Sequence, residues 1–156
     1  MAGGKLGRMR IEPASEQHRD AWLALRCALW PDEPADLLRE DIAAMLRNPD
    51  GDKAAWLALD GNVIGFAEAA LRHDYVNGCQ TSPVAFLEGI FVTPVARGKG
   101  VGRALSEAVA AWGRRGGARE YASDALLDNW ESHAFHTALG FKETERVVYF
   151  RRALTG

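Results

Sequence analysis

Apolar and polar positions recur along this chain with two different periods, and the switches between them divide it into elements. Met9 to Ile11 begins a short strand that Pro13 ends. Behind Ser15, a residue type that caps helix starts, Trp22, Leu25 and Leu29 return at helical spacing, and Trp30-Pro31 stops that helix. A second helix opens at Pro34 or Ala35 with Leu38, Ile42, Met45 and Leu46 inward, and Asn48-Pro49-Asp50-Gly51 closes it. The period then falls to two. Ala54 to Leu59 and Val63 to Leu71 read as strands joined at Asp60-Gly61, a hairpin signal. Arg72 to Ser82 is polar and reads as a loop. Val84 to Val92 is apolar on both faces, which marks a central strand covered on both sides.

Helical spacing returns in Val101, Ala104, Leu105, Ala108 and Trp112. Glu120 to Ser123 is a short strand. A last helix starts near Asp128, where Asp128 and Glu131 have capping-box spacing, and Gly140 ends it. Glu143 to Arg152 reads as a final strand from its β-branched and aromatic residues. The order predicts an α/β chain with a mixed, mostly antiparallel sheet flanked by helices. The expected organisation is one domain over residues 9–156, preceded by a flexible leader over residues 1–8.

Composition removes several function classes. A chain of 156 residues buries a core without staples, and no apolar run reaches the length of a membrane span. No signal-peptide core is present, so a cytoplasmic protein without a membrane partner is expected. A net charge of −2 argues against nucleic acid as a partner. Cys27 and Cys79 stand alone without metal-type spacing, so free thiols and no metal are expected.

The candidate chemistry begins between the central strand and the helix after it. Gly98, Gly100 and Gly102 form a glycine-rich turn at a helix start, where backbone N–H groups and the helix dipole make an anion site. A Walker loop fails here because Thr93 occupies its first glycine and Gly100 follows Lys99. A dinucleotide fingerprint fails because Arg103 occupies its third glycine. The spelling Arg97-Gly98-Lys99-Gly100-Val101-Gly102 fits [QR]-x-x-G-x-[GA] and resembles the acetyl-CoA pyrophosphate loop of the GNAT superfamily of N-acetyltransferases.

Longer strings narrow the resemblance. Leu29-Trp30-Pro31, R-H-D-Y-V-N-G at Arg72 to Gly78, S-P-V-A-F-L-E-G-I-F-V at Ser82 to Val92, A-S-D at Ala122 to Asp124 and A-L-G-F-K-E-T-E-R-V at Ala138 to Val147 look like the aminoglycoside 6′-N-acetyltransferases. The likeness covers nearly the whole chain after the leader. It implies the acetyltransferase fold, acetyl-CoA as co-substrate, direct attack of an aminoglycoside 6′-amine on the thioester, and a homodimer. The strand-rich tail Val147 to Ala153 would pair across its two-fold axis.

The site residues follow from that resemblance and from the demands of acetyl transfer. Backbone N–H groups across Gly98 to Arg103, including Lys99 and Val101, would hold the pyrophosphate. Ile90, Phe91 and Val92 would pair with the pantetheine arm as an added strand and offer an N–H to the thioester oxygen. The resemblance adds Asn129 as a cofactor contact. Glu88, a lone charge in an apolar strand, would anchor a cationic substrate or take its proton through water. Asp124 and Glu145 would join it as carboxylates for a polycationic aminosugar, with Trp30 and Tyr75 as flat walls. His136 stands where many GNAT enzymes place a tyrosine that protonates the leaving thiolate, and an imidazole suits that step.

The residues alone leave alternatives open. Glu88 also reads as a structural ion pair, Trp30 as a core aromatic, Tyr75 as an exposed loop residue, Asn129 as a helix-start residue and His136 as a packed spectator. Asp124 and Glu145 each read equally well as solvated surface charges. Another amine, such as a polyamine, an amino acid or a protein terminus, remains a possible acceptor. So does a non-catalytic acyl-CoA sensor, against which the intact glycine loop argues.

Overall fold

A computed structural model describes residues 7–156. Of the leader expected over residues 1–8, residues 1–6 lie outside the described residues. Gly7 donates its N–H to Asp60 at 3.2 Å. The chain divides into two units, one through Asp124 and one from Ala125 to Gly156.

The first unit is built on a five-stranded sheet in chain order: β1 (Arg10–Pro13), β2 (Lys53–Asp60), β3 (Asn62–Arg72), β4 (Val84–Val92) and β5 (Glu120–Ser123). The first four run antiparallel and β5 pairs parallel to β4, so the sheet is mixed and mostly antiparallel. Pro13 lies within β1, where an edge strand tolerates its missing N–H. The β2–β3 hairpin turns at Gly61, whose φ of 74° accounts for the glycine.

Alternation along β2 gives each sheet face its own helices. Leu57 and Leu59 pack with Trp22 of α1 (Arg19–Leu29) and Ile42 of α2 (Ala35–Arg47). Trp56 points the other way and meets Trp112 of α3 (Val101–Arg115) edge-on, with ring centroids 5.6 Å apart. Ser15 makes no side-chain cap; a 3₁₀ turn over Glu16–His18 precedes α1 instead.

Beneath α1 and α2 lies a charge pair that periodicity does not reveal. Glu68 of β3 accepts from Arg26 Nε at 2.8 Å, Arg26 Nη2 at 2.9 Å and Trp22 Nε1 at 2.9 Å. Arg26 Nη1 also reaches the Leu38 carbonyl at 2.7 Å, so one guanidinium joins α1, α2 and β3. Burial pushes the Glu68 carboxyl above its ordinary range, against the pull of the Arg26 charge and of the Arg26 and Trp22 hydrogen bonds. Removing either partner strands a buried charge, which typically costs about 3–5 kcal/mol.

The second unit holds α4 (Trp130–Ala138). Its cap is Asn129, whose side chain accepts from the Ser132 N–H at 3.1 Å; the expected Asp128 box is displaced by one residue. Gly140 follows the helix with φ 94°. The expected strand over Glu143 to Arg152 is absent among the described residues, which form no ladder beyond β5. A strand exists only where its backbone groups find a neighbouring strand, and residues 141–156 have none in this chain.

Candidate functional site

The site begins at an irregularity in β4. Glu68 pairs with Gly89 and Ala69 pairs with Leu87, so Glu88 is the extra residue of a β-bulge. Before it, Val84 to Leu87 are buried and pair with both β3 and β5. After it, Gly89 to Val92 pair with β3 alone, because β5 pairing ends at Leu87 and Ser123. The bulge turns the Glu88 side chain out of the core and leaves one edge of β4 open beyond it.

Register decides which groups that edge presents. Thr93 donates to the Ile64 carbonyl at 2.9 Å, so the alternate positions of an antiparallel pair place the Phe91 backbone groups toward β3. Ile90 and Val92 turn theirs to the open side. The Val92 carbonyl there accepts from Arg97 Nε at 2.8 Å, which ties the glycine turn to the strand end. The Arg97 guanidinium lies 5.3 Å from the Phe91 ring centroid.

The open edge leads to the start of α3. Gly98 and Gly100 have φ of 74° and 84°, and a Cβ on either would meet no atom within 4 Å. Gly100 is the N-cap and no side chain caps the helix, so the Val101 and Gly102 amides have no acceptor within it. Lys99 and Arg103 are exposed on the same turn. Positive φ, open space and uncapped amides form a cradle that suits a pyrophosphate, and the outward backbone of Ile90 and Val92 suits an extended amide-bearing arm. These features fit acetyl-CoA.

Around Glu88 the structure gathers groups of different kinds. Arg72, the last residue of β3, forks onto both Glu88 oxygens at 2.9–3.1 Å. The Trp30 ring rests on Gly89, with ring carbons only 2.5 and 2.7 Å from where a Cβ would stand. Trp30 also meets Phe66 edge-on at 6.0 Å and the Arg26 guanidinium at 5.0 Å, so it is half core and half surface.

The loop after Arg72 is anchored rather than loose. Val76 is buried against Val84 and Phe86, while its neighbour Tyr75 is 76% exposed. One Glu120 oxygen accepts from the Gln80 and Thr81 amides at 2.8 and 2.7 Å and from the Thr81 hydroxyl at 2.5 Å. Those bonds, the Thr81 hydroxyl first, hold the Glu120 carboxyl below its ordinary range. Asp124, one residue past β5, is exposed.

The second unit carries the remaining candidates. Glu145 is exposed in the tail, and Asn129 is committed to capping α4. His136 Nδ1 lies 2.7 Å from the Ser132 carbonyl, an acceptor, so Nδ1 carries the hydrogen. With its hydrogen on Nδ1, the neutral ring carries none on Nε2.

Three contributors were given no role from sequence. Arg72 opens the R-H-D-Y-V-N-G string, but its partner Glu88 is 16 residues away and no local spacing joins them. Gly89 did carry a signal, since a lone glycine inside a strand pattern marks a bulge or a close approach. Glu120, at the start of β5, holds a loop some forty residues earlier, a pairing no local pattern reveals.

Comparison with known proteins agrees with this geometry. Residues 15–141 match the model of the acetyltransferase (GNAT) family. An aminoglycoside N(6′)-acetyltransferase type 1 of Stenotrophomonas maltophilia is 51% identical over 92% of this chain and 93% of its own length. Another, from Salmonella typhimurium, is 48% identical over 92% and 99%. Among solved structures, AAC(6′)-Iy in complex with the bisubstrate analogue CoA-S-monomethyl-acetylneamine has a TM-score of 0.89 at 46% identity, covering 95% of this chain and all of that one. AAC(6′)-Ih of Acinetobacter baumannii gives the same TM-score, identity and coverage. The chain belongs to the acetyltransferase (GNAT) family, among the relatives of the type 1 aminoglycoside N(6′)-acetyltransferases.

Proposed function

We propose that this chain transfers the acetyl group of acetyl-CoA to the 6′-amine of aminoglycosides and so confers resistance to them. The observation that carries the reading is the open β4 edge running from the Glu88 bulge to the uncapped start of α3. Acetyl-CoA supplies an activated thioester. The Val101 and Gly102 amides receive its phosphates, aided by the Lys99 and Arg103 charges. Ile90 and the Val92 N–H hold the pantetheine arm, and an outward N–H polarises the carbonyl.

Glu88 anchors the 6′-ammonium beside the thioester and takes its proton through water, so that the neutral nitrogen bonds to the acetyl carbon as the carbon–sulfur bond breaks and the CoA thiolate leaves. Asp124 and Glu145 bind further ammonium groups, and Trp30 and Tyr75 give sugar rings flat apolar faces. His136, as imidazolium, returns a proton to the leaving thiolate. The enzyme works in the cytoplasm, where its co-substrate is made. Its exposed tail, Val147 to Ala153, pairs with that of a second copy.

The test is a thiol-release assay with acetyl-CoA and kanamycin, set against spermine, a peptide amine and an aminoglycoside whose 6′ position bears a hydroxyl. Turnover of kanamycin alone is expected. Equal turnover of the 6′-hydroxyl compound removes the regiochemical assignment, and faster turnover of spermine or the peptide removes the substrate class.

A further inference from the structure

Glu88 is not a lone carboxylate awaiting a cation. Arg72 Nε reaches its Oε1 at 3.1 Å, and Nη2 reaches Oε1 and Oε2 at 2.9 Å each. The same guanidinium lies over the buried Phe86 ring, its central carbon 3.4 Å from the centroid. Exposed ion pairs usually contribute little, because two long side chains must be held in one arrangement. Here both ends are already held. The carboxylate stands on a bulge of β4, and the guanidinium plane is fixed by the ring beneath it. Forked pairing adds direction as well as attraction.

That direction has a consequence for the ligand. A carboxylate has about four acceptor sites, two on each oxygen. Arg72 presents two hydrogens to this carboxylate, Nε–H on Oε1 and one Nη2 hydrogen shared between Oε1 and Oε2, so Oε1 is the more engaged oxygen and Oε2 the one left to a further donor. We propose that Arg72 is a positioning residue for the acetyl acceptor: it fixes the Glu88 carboxylate at the bulge so that Oε2, the less engaged oxygen, faces an N–H of the substrate amine. This rests on the reading of Glu88 as the acceptor's anchor. Lysine would keep the charge and lose the fork, so the geometry asks for arginine at this position.

The experiment is a double-mutant cycle on the full chain, with steady-state kinetics for kanamycin and calorimetric titration of acetyl-CoA. Arg72→Met is expected to raise KM for kanamycin roughly 10-fold with a smaller change in kcat, since neighbouring residues that act through one contact couple by about this much. Acetyl-CoA affinity stays at the parent value. Arg72→Lys falls between parent and Met, and it carries the test if the Met variant melts early. In a Glu88→Gln background, Arg72→Met adds little. The inference is overturned if Arg72→Met matches the parent while Glu88→Gln is impaired, or if the two effects multiply. A silent Glu88→Gln instead removes the anchor reading itself, and with it any role for Arg72 through Glu88.

Discussion

Trp30 and Gly89 make one unit of structure, and each explains the other. An alanine Cβ at position 89 would come within 2.5 Å of the Trp30 ring and 3.1 Å of Leu29. The ring has no easy retreat, because Phe66 and Arg26 stand behind it. Overpacking of this kind typically costs about 1–3 kcal/mol. Gly89→Ala is therefore expected to lower the thermal midpoint by several degrees, and calorimetry that finds the parent's midpoint would dismiss the close approach. A second residue-scale prediction concerns pH. The folded-state pKa of Glu120 lies below its ordinary value of 4.5, so its bonds to Gln80 and Thr81 are present above that value and are lost as pH falls through the lower one. In an NMR titration the Gln80 and Thr81 amide shifts should move together with a midpoint below 4.5. A midpoint at or above 4.5 would mean that Glu120 does not hold the loop.

Among the elements, the passage from β4 into α3 makes the clearest prediction. At Gly100 the backbone sits at φ 84° with no atom near a would-be Cβ, so nothing in the free protein needs the bare position except its conformation and a ligand. Gly100→Val is expected to fold, at a cost of about 1–2 kcal/mol for left-handed backbone, and to lose acetyl-CoA binding in a calorimetric titration. A folded variant with the parent's affinity would move the phosphate site elsewhere. This passage was also the most legible part of the sequence, because a short run apolar on both faces gives way to a 3.6-residue period across three glycines. The bulge was half legible: Glu88 stood out as a charge and Gly89 as a strand glycine, but only the ladder shows that Glu88 is the extra residue. Arg26 and Glu68 were not legible together, being 42 residues apart on elements whose periodicity each would be expected to break. The α4 cap was missed by one residue because Asp128 and Asn129 both suit the role, and only the Asn129–Ser132 bond separates them.

For the whole molecule the question is what covers the tail. Val148, Tyr149 and Phe150 are 74%, 82% and 92% exposed, three consecutive large apolar residues after a stretch without secondary structure. Their side chains have the strand propensity that suggested a β-element over Glu143 to Arg152, and the single chain gives that element no ladder. In the proposed homodimer the partner strand lies on another copy. Two-fold symmetry would present the same segment from both sides, burying the aromatic residues and satisfying the backbone in one step. Light scattering on the full chain should then give twice the 17.0 kDa of one copy. Replacing Tyr149 and Phe150 with glutamate should return the mass to that of a single chain, since like charges facing each other across an axis repel and cannot be buried unpaired. The first unit keeps its own core in such a variant, so its acetyl-CoA affinity should persist. A parent that is monomeric at micromolar concentration, or a glutamate variant that stays dimeric, would show that the tail is not the interface.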